Sequence, residues 1–231
     1  MTDVASGVDG RATRKRHRDL EAAQAAAKGV LELLAGMDAA HVTVAQWQRG
    51  LGEVGLRLAA LRAATADVSN GFGLASGQAR LLNYLRLNIG VVVQGDELAG
   101  VAGISDWPRR VRELRTDHGW PIETGTQRPD LRSDEYLLIR DEQDEQLLSN
   151  WRRARELREQ GGPIKARLLE YLIGLSPQAA DQDQLRHVAG SNDVQRHLGD
   201  LMNDGWDIHS HQEDSTLAPG SYRLVRLTRR V

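Results

Sequence analysis

The pattern of apolar and polar positions splits the chain into a short polar lead, a helical region and a segment that is written twice. Residues 1–17 show no apolar period. Gly, Ser, Asp and Thr there give way to the basic run Arg14-Lys15-Arg16-His17-Arg18, and the stretch is predicted to be disordered. Residues 18–36, "RDLEAAQAAAKGVLELLAG", are rich in Ala and Leu and predict a helix ending at Gly36. A second helix is predicted from Thr43, with Leu51, Val54, Leu58 and Leu61 at helical spacing. Gly50, Gly52 and Gly55 weaken it by up to about 1 kcal/mol each. "SNGFGLASG" (69–77) reads as a loop, so residues 18–75 make an N-terminal helical region.

The rest of the chain repeats itself. Residues 79–85 read "ARLLNYL" and residues 166–172 read "ARLLEYL". At the same offset Leu98 is answered by Leu185, and Val101-Ala102-Gly103 by Val188-Ala189-Gly190. Val111 and Leu114 are answered by Leu198 and Leu201. After one deleted residue, Gly119-Trp120, Ile122, Leu131 and Tyr136 recur as Gly205-Trp206, Ile208, Leu217 and Tyr222. A register held over roughly sixty residues marks a tandem duplication.

Both copies predict the same elements. A first helix ("GQARLLNYLRLN" or "IKARLLEYLIGL") is followed by a second that ends at glycine ("GDELAGVAG" or "DQDQLRHVAG"). The turns "GISDW" and "GSNDV" place Ser105 and Asn192 where a helix N-cap is wanted. A third helix runs to Gly119 or Gly205, and a strand, a polar loop and a second strand then form a β-hairpin. This order is a winged helix-turn-helix made twice. The expected fold is mainly α with small β-hairpins (α+β). It comprises a first winged domain at 76–140, a helical linker at 141–162 and a second winged domain at 163–231. Leu147, Leu148, Trp151 and Leu157 are the linker's packing candidates, with its mixed charges on a solvated face.

Composition narrows the function classes. There is no cysteine, which excludes disulfides and thiolate metal sites and predicts a cytoplasmic protein. No run of about 18 apolar residues exists, so no membrane partner is expected. The N-terminal basic cluster lacks the apolar core of a secretory signal. Net charge is −2, with 30 basic and 32 acidic residues, so any affinity for nucleic acid must come from where the arginines sit.

The third helix is where a helix-turn-helix reads the major groove. At about 100° per residue, Trp107, Val111 and Leu114 share an inward stripe, and Ser105, Arg109, Arg112 and Thr116 lie opposite. Arginine forks suit guanine or phosphate there. Arg110 and Arg115 flank that face, placed for backbone phosphates. In the second copy Asn192, Gln195 and Arg196 are the candidates, with Gly199 where Arg112 stood and His197 and Met202 replacing Arg110 and Arg115. Asn192 either pairs with adenine or caps its helix. Arg128 and Arg132 in the first hairpin loop are placed for phosphates or a minor groove.

Other features have plainer readings. His209 and His211 are spaced i, i+2 on a strand, which admits a metal site, but no third ligand is fixed nearby. Trp107 suits either an aromatic base sensor or the core, and its helical phase argues for the core. Trp120 and Trp206 read as structural. No nucleophile elbow, phosphate loop or metal-ligand spacing occurs, so neither a catalytic residue nor a cofactor is expected.

The blocks "SNGFGLASGQARLLNYL", "GDELAGVAGISDWPRRVRELRTDHGWPIET" and "DEYLL" resemble the N-terminal part of actinobacterial HNH-type restriction endonucleases. The resemblance covers most of residues 40–231 and implies a tandem winged-helix DNA-recognition region. In that family the HNH nuclease follows the second winged helix. No HNH motif follows the last strand in "RLTRRV", so the likeness implies a DNA-recognition module of such an enzyme, either truncated or standing alone, and leaves open whether the protein is itself an enzyme. The partners it implies are double-stranded DNA and, for a dimeric state, a second copy as homodimer. Two rival readings stand beside it. One is a protein-interaction scaffold of the kind found in kleisin-associated condensin subunits, favoured by the near-neutral charge. The other is a transcription regulator, which would dimerise on half-sites about one helical turn apart.

Overall fold

A computed structural model describes residues 4–38 and 40–228. In chain order the elements are α1 (Val4–Ala35), α2 (Val44–Asn70), α3 (Gly77–Leu87), β1 (Val93–Gln94), α4 (Gly95–Ala102), α5 (Trp107–Thr116), β2 (Ile122–Thr124) and β3 (Glu135–Leu138). They continue with α6 (Glu145–Gln160), α7 (Ile164–Leu175), β4 (Ala179–Ala180), α8 (Gln182–Ala189), α9 (Val194–Asn203), β5 (Ile208–Ser210) and β6 (Tyr222–Leu224). The architecture is mainly helical with two small antiparallel sheets, an α+β fold. The chain divides into two compact units, residues 1–84 with 96–110, and residues 85–95 with 111–231.

In the first unit α1 and α2 pack on each other. α1 starts at Val4, so residues 4–17 are helical where the sequence predicts disorder; residues 1–3 lie outside the described residues. Ala, Arg and Lys after Gly10 are good helix formers, and Lys15 pairs with Asp19 one turn on at 2.7 Å. Thr43, where the sequence predicts the second helix to start, caps α2 through a reciprocal capping box with Gln46. Gly50 is buried mid-helix because Met37 lies over it: a Cβ there would come within 1.9 Å of Met37 Cε.

The repeated "AR" dipeptide acquires a physical reason at the end of α4. Arg80 of α3 donates from Nε and Nη2 to the Ala102 carbonyl at 3.1 and 2.6 Å, and from Nη1 to the Leu74 carbonyl at 3.1 Å. The last carbonyls of a helix have no partner within it, and a guanidinium supplies several. In the second unit Arg167 of α7 does the same for α8. It donates to the Val188 and Ala189 carbonyls at 3.0 and 2.8 Å and to Gly162 at 2.5 Å. The glycine that ends each second helix then turns left-handed, Gly103 at φ +65° and Gly190 at φ +64°. A Cβ resists that conformation.

Both sheets lie in the second unit. Their orders are β1-β3-β2 and β4-β6-β5, and all pairs are antiparallel. The registers match: Ile122 opposes Leu138 as Ile208 opposes Leu224, and Thr124 opposes Tyr136 as Ser210 opposes Tyr222. The short strands β1 and β4 add a third member to each predicted hairpin. The hairpin loops close alike. Thr124 donates from N and Oγ1 to Gln127 Oε1 at 3.1 and 2.9 Å, and Ser210 from N and Oγ to Glu213 Oε2 at 2.9 and 2.5 Å.

α6, predicted as a linker, buries Trp151, Ala154 and Leu157 in one core with Leu168, Leu172, Leu185, Val188, Leu198 and Leu224. Its apolar stripe has the width of a core-facing helix, and only the opposite face is solvated. The predicted spacer is therefore part of the second repeat's core.

Candidate nucleic-acid interface

α5 carries the arginine-rich candidate face. Val111 and Leu114 are buried, Trp107 is half-buried, and Arg109 and Arg112 are exposed on the opposite side. In α9 the matching stripe of Val194, Leu198 and Leu201 is buried, and Gln195 and Arg196 are exposed. The cap expectations need correcting in both copies, because each turn runs one residue further. α5 starts at Trp107, directly after Asp106, which leaves exposed Ser105 outside the cap position. α9 is preceded by Asp193, which makes no side-chain cap, and it is Ser191 Oγ that accepts the Asp193 N–H at 3.1 Å. Asn192 is exposed beside it and caps nothing.

Several candidate arginines are already ion-paired on the surface. Arg110 meets Asp106 at 3.1 Å, and Arg196 meets Asp193 at 2.7 Å. Arg128 binds Asp130 at 2.6 Å and reaches Glu123 at 3.6 Å, which holds the Asp130 carboxyl below its usual range. Arg132 lies 3.1 Å from Glu135 and donates to Gln94 Oε1 at 2.9 Å. Such exposed pairs are weak, so a phosphate oxygen replaces the carboxylate at little cost.

Arg115 is different and requires a correction. Helical phase places it beside the outer face, yet it is buried at 6% exposure. Its Nη1 bonds Asp183 Oδ2 at 3.1 Å and its Nη2 lies 3.9 Å from Asp181 Oδ2. Gln127 Nε2 adds a bond to Asp183 at 3.2 Å. Burial raises the Asp181 carboxyl above its ordinary value, and Arg115 pulls the other way. Withdrawing Arg115 to meet a phosphate would strand these carboxylates, so it serves the scaffold and not the surface.

Next to this bridge, within the second unit, lies a cleft of about 570 Å³. Arg112, Arg115, Arg155 and Arg186 line it, with Asp117 and Asp183 as the carboxylates and Trp151, His187 and Asn192 as further polar groups. Arg155 is held by Asp117 at 2.5 Å and by the Thr116 carbonyl at 3.0 Å. Desolvation lowers the His187 pKa, and Arg158 and Arg155 lower it further. A smaller recess of about 170 Å³ shares Arg186 and Asn192 and adds Gln195. The structure thus brings Arg112 into one cleft with Asn192. The cleft groups that the sequence did not offer as site residues are Arg186, His187 and Arg155, with Trp151, which it offered only for packing. The repeat held a signal for two of them, since Arg186 and His187 stand where the first copy has Ala99 and Gly100.

His209 bonds Asp207 at 3.3 Å. Among the described residues no three His, Asp or Glu side chains are grouped to hold a metal, and no helix is long and apolar enough to cross a membrane.

The duplicated segments place the chain in a restriction-enzyme family. The family model of the KpnI N-terminal domain matches residues 78–139 and 165–225, more than half of the chain, and the chain belongs to that family. The two matched segments coincide with the two repeats. No curated protein and no solved structure matches the chain.

Proposed function

We propose that each repeat is a winged helix, and that together they form a specificity module of a cytoplasmic restriction endonuclease, reading double-stranded DNA by sequence or by base modification. The observation that carries this reading is the exposed pair Arg109 and Arg112 on α5, opposite the buried Val111 and Leu114, in a chain of a restriction-enzyme family. An outward guanidinium one turn from another can engage a base edge and the adjoining phosphate. The first repeat leads. In the second, Gly199 stands where Arg112 stands in the first, which leaves one of the two outward arginines, Arg196.

The test is fluorescence-anisotropy binding to methylated and unmethylated duplex pools across a salt series. Affinity is expected to fall with salt, and Arg109→Ala is expected to weaken binding by about tenfold or more. Arg196→Ala is expected to cost less than Arg109→Ala. Absence of binding to either pool at low salt would defeat the reading and favour the protein-scaffold alternative.

A further inference from the structure

The cleft beside the Arg115–Asp183 bridge is more than a by-product of packing. Four guanidiniums line it against two carboxylates, which leaves a surplus of two positive charges. Arg115 and Arg155 are committed to Asp183 and Asp117. Arg112 and Arg186 are both exposed, on different helices, and carry the surplus. Two further groups of the lining point the same way. Trp151 is 97% buried and its Nε1–H has no hydrogen-bond partner in the protein, and the buried Nε2 of His187 has none either. Native interiors rarely leave two such nitrogens unanswered in one place. The rings of Trp151 and His187 meet edge to face at 5.7 Å, so they form one aromatic wall.

From this we infer that the cleft is a phosphate-ester site: Arg112 and Arg186 grip the phosphate of a nucleotide, with Asn192 beside them and the Trp151–His187 wall behind. A lone carboxylate is matched by one arginine fork. Two forks from separate helices with a double positive surplus match a phosphate, which has more oxygens and more charge. The volume, about 570 Å³, falls in the range of small-ligand pockets. The phosphate can belong to a DNA strand or to a free nucleotide, and the chemistry of the grip is the same for both. The inference shares Arg112 with the proposed reading face but not Arg109, and its second fork, Arg186, lies on α8 and not on either third helix.

The test titrates the full chain by calorimetry at fixed ionic strength with inorganic phosphate, deoxyadenosine monophosphate and a twelve-base-pair duplex. Wild type, Arg186→Ala, Arg186→Lys and Arg109→Ala are compared, with circular dichroism to confirm the fold. Arg186 is exposed, so its loss should leave the fold intact. Arg186→Ala is expected to weaken at least one arm by about tenfold, and Arg186→Lys to recover part of it. Loss confined to the duplex assigns the phosphate to DNA, and loss in the mononucleotide or phosphate arm assigns a free ligand. Identical binding by wild type and Arg186→Ala in every arm overturns the inference, as does equal competition by a glutamate peptide. If Arg186→Ala is silent while Arg109→Ala still abolishes duplex binding, the cleft fails and the DNA-reading proposal survives.

Discussion

α4 and α8, the second helices of the two repeats, have the same inner face and different outer ones. Leu98 and Ala102 are buried in α4 as Leu185 and Ala189 are in α8, and an arginine from the preceding helix closes each C-terminus. Their outer positions differ: Ala99-Gly100 in one, Arg186-His187 in the other. The hairpin loops show the same division. Gln127 and Glu213 accept the same two bonds, but the amide has a spare N–H, which it gives to Asp183, and a carboxylate has none to give. Duplication has kept the positions that fold each copy and altered those on the outer faces.

The strongest way to sharpen this comparison is through α6, which packs on the second repeat's core. Trp151→Ala is expected to cost about 3–5 kcal/mol, the usual range for emptying a large buried aromatic site. Hydrogen exchange read by mass spectrometry should show protection lost over α6 to α9 and kept in α1 and α2. Equal loss throughout would mean that the two units do not unfold separately.

A smaller effect is expected from writing the second copy's residue into the first. Arg115→Met, copying Met202, leaves Asp181 and Asp183 without their cation. Breaking a buried pair costs about 3–5 kcal/mol, and the partial exposure of Asp183 reduces the expected loss to about 2–3 kcal/mol in a urea midpoint series. An unchanged midpoint would show that water, and not Arg115, supports these carboxylates.

The mildest exchange is in the hairpin loop. Gln127→Glu keeps the acceptor for Thr124 but sets a third carboxylate against Asp181 and Asp183, for an expected loss of about 1 kcal/mol. The reverse change, Glu213→Gln, should leave the melting midpoint where it was. Equal shifts in both would erase the asymmetry between the loops.

Much of this organisation was legible from the letters. The buried stripe of α5 follows from helical phase, and the hairpins from alternating runs between turn residues. The strands Val93–Gln94 and Ala179–Ala180 were not legible, because two residues carry no period. Nor was the burial of Arg115. Phase says which side of a helix faces its own core, but not whether another part of the chain covers the far flank. The helix at residues 4–17 escaped because its glycines read as breakers while the flanking Ala, Arg and Lys outweigh them. Arg186 and His187 were readable only as departures from the repeat, a signal that a search for matching letters passes over.

The arginine clamps also bear on how faithfully this chain folds. Arg80 and Arg167 each close a loop of 22 residues onto their own helix end. Both carry the same preceding and following letters, so either could in principle seat on the other's target. Pairing Arg80 with the Ala189 carbonyl would close a loop roughly five times as long, an added entropic cost of about 1.4 kcal/mol. That is close to a tenfold preference for the correct mate before any other contact forms. A duplicated gene thus starts with a bias against swapping its own halves, set by the spacing of one side chain from the carbonyl it caps.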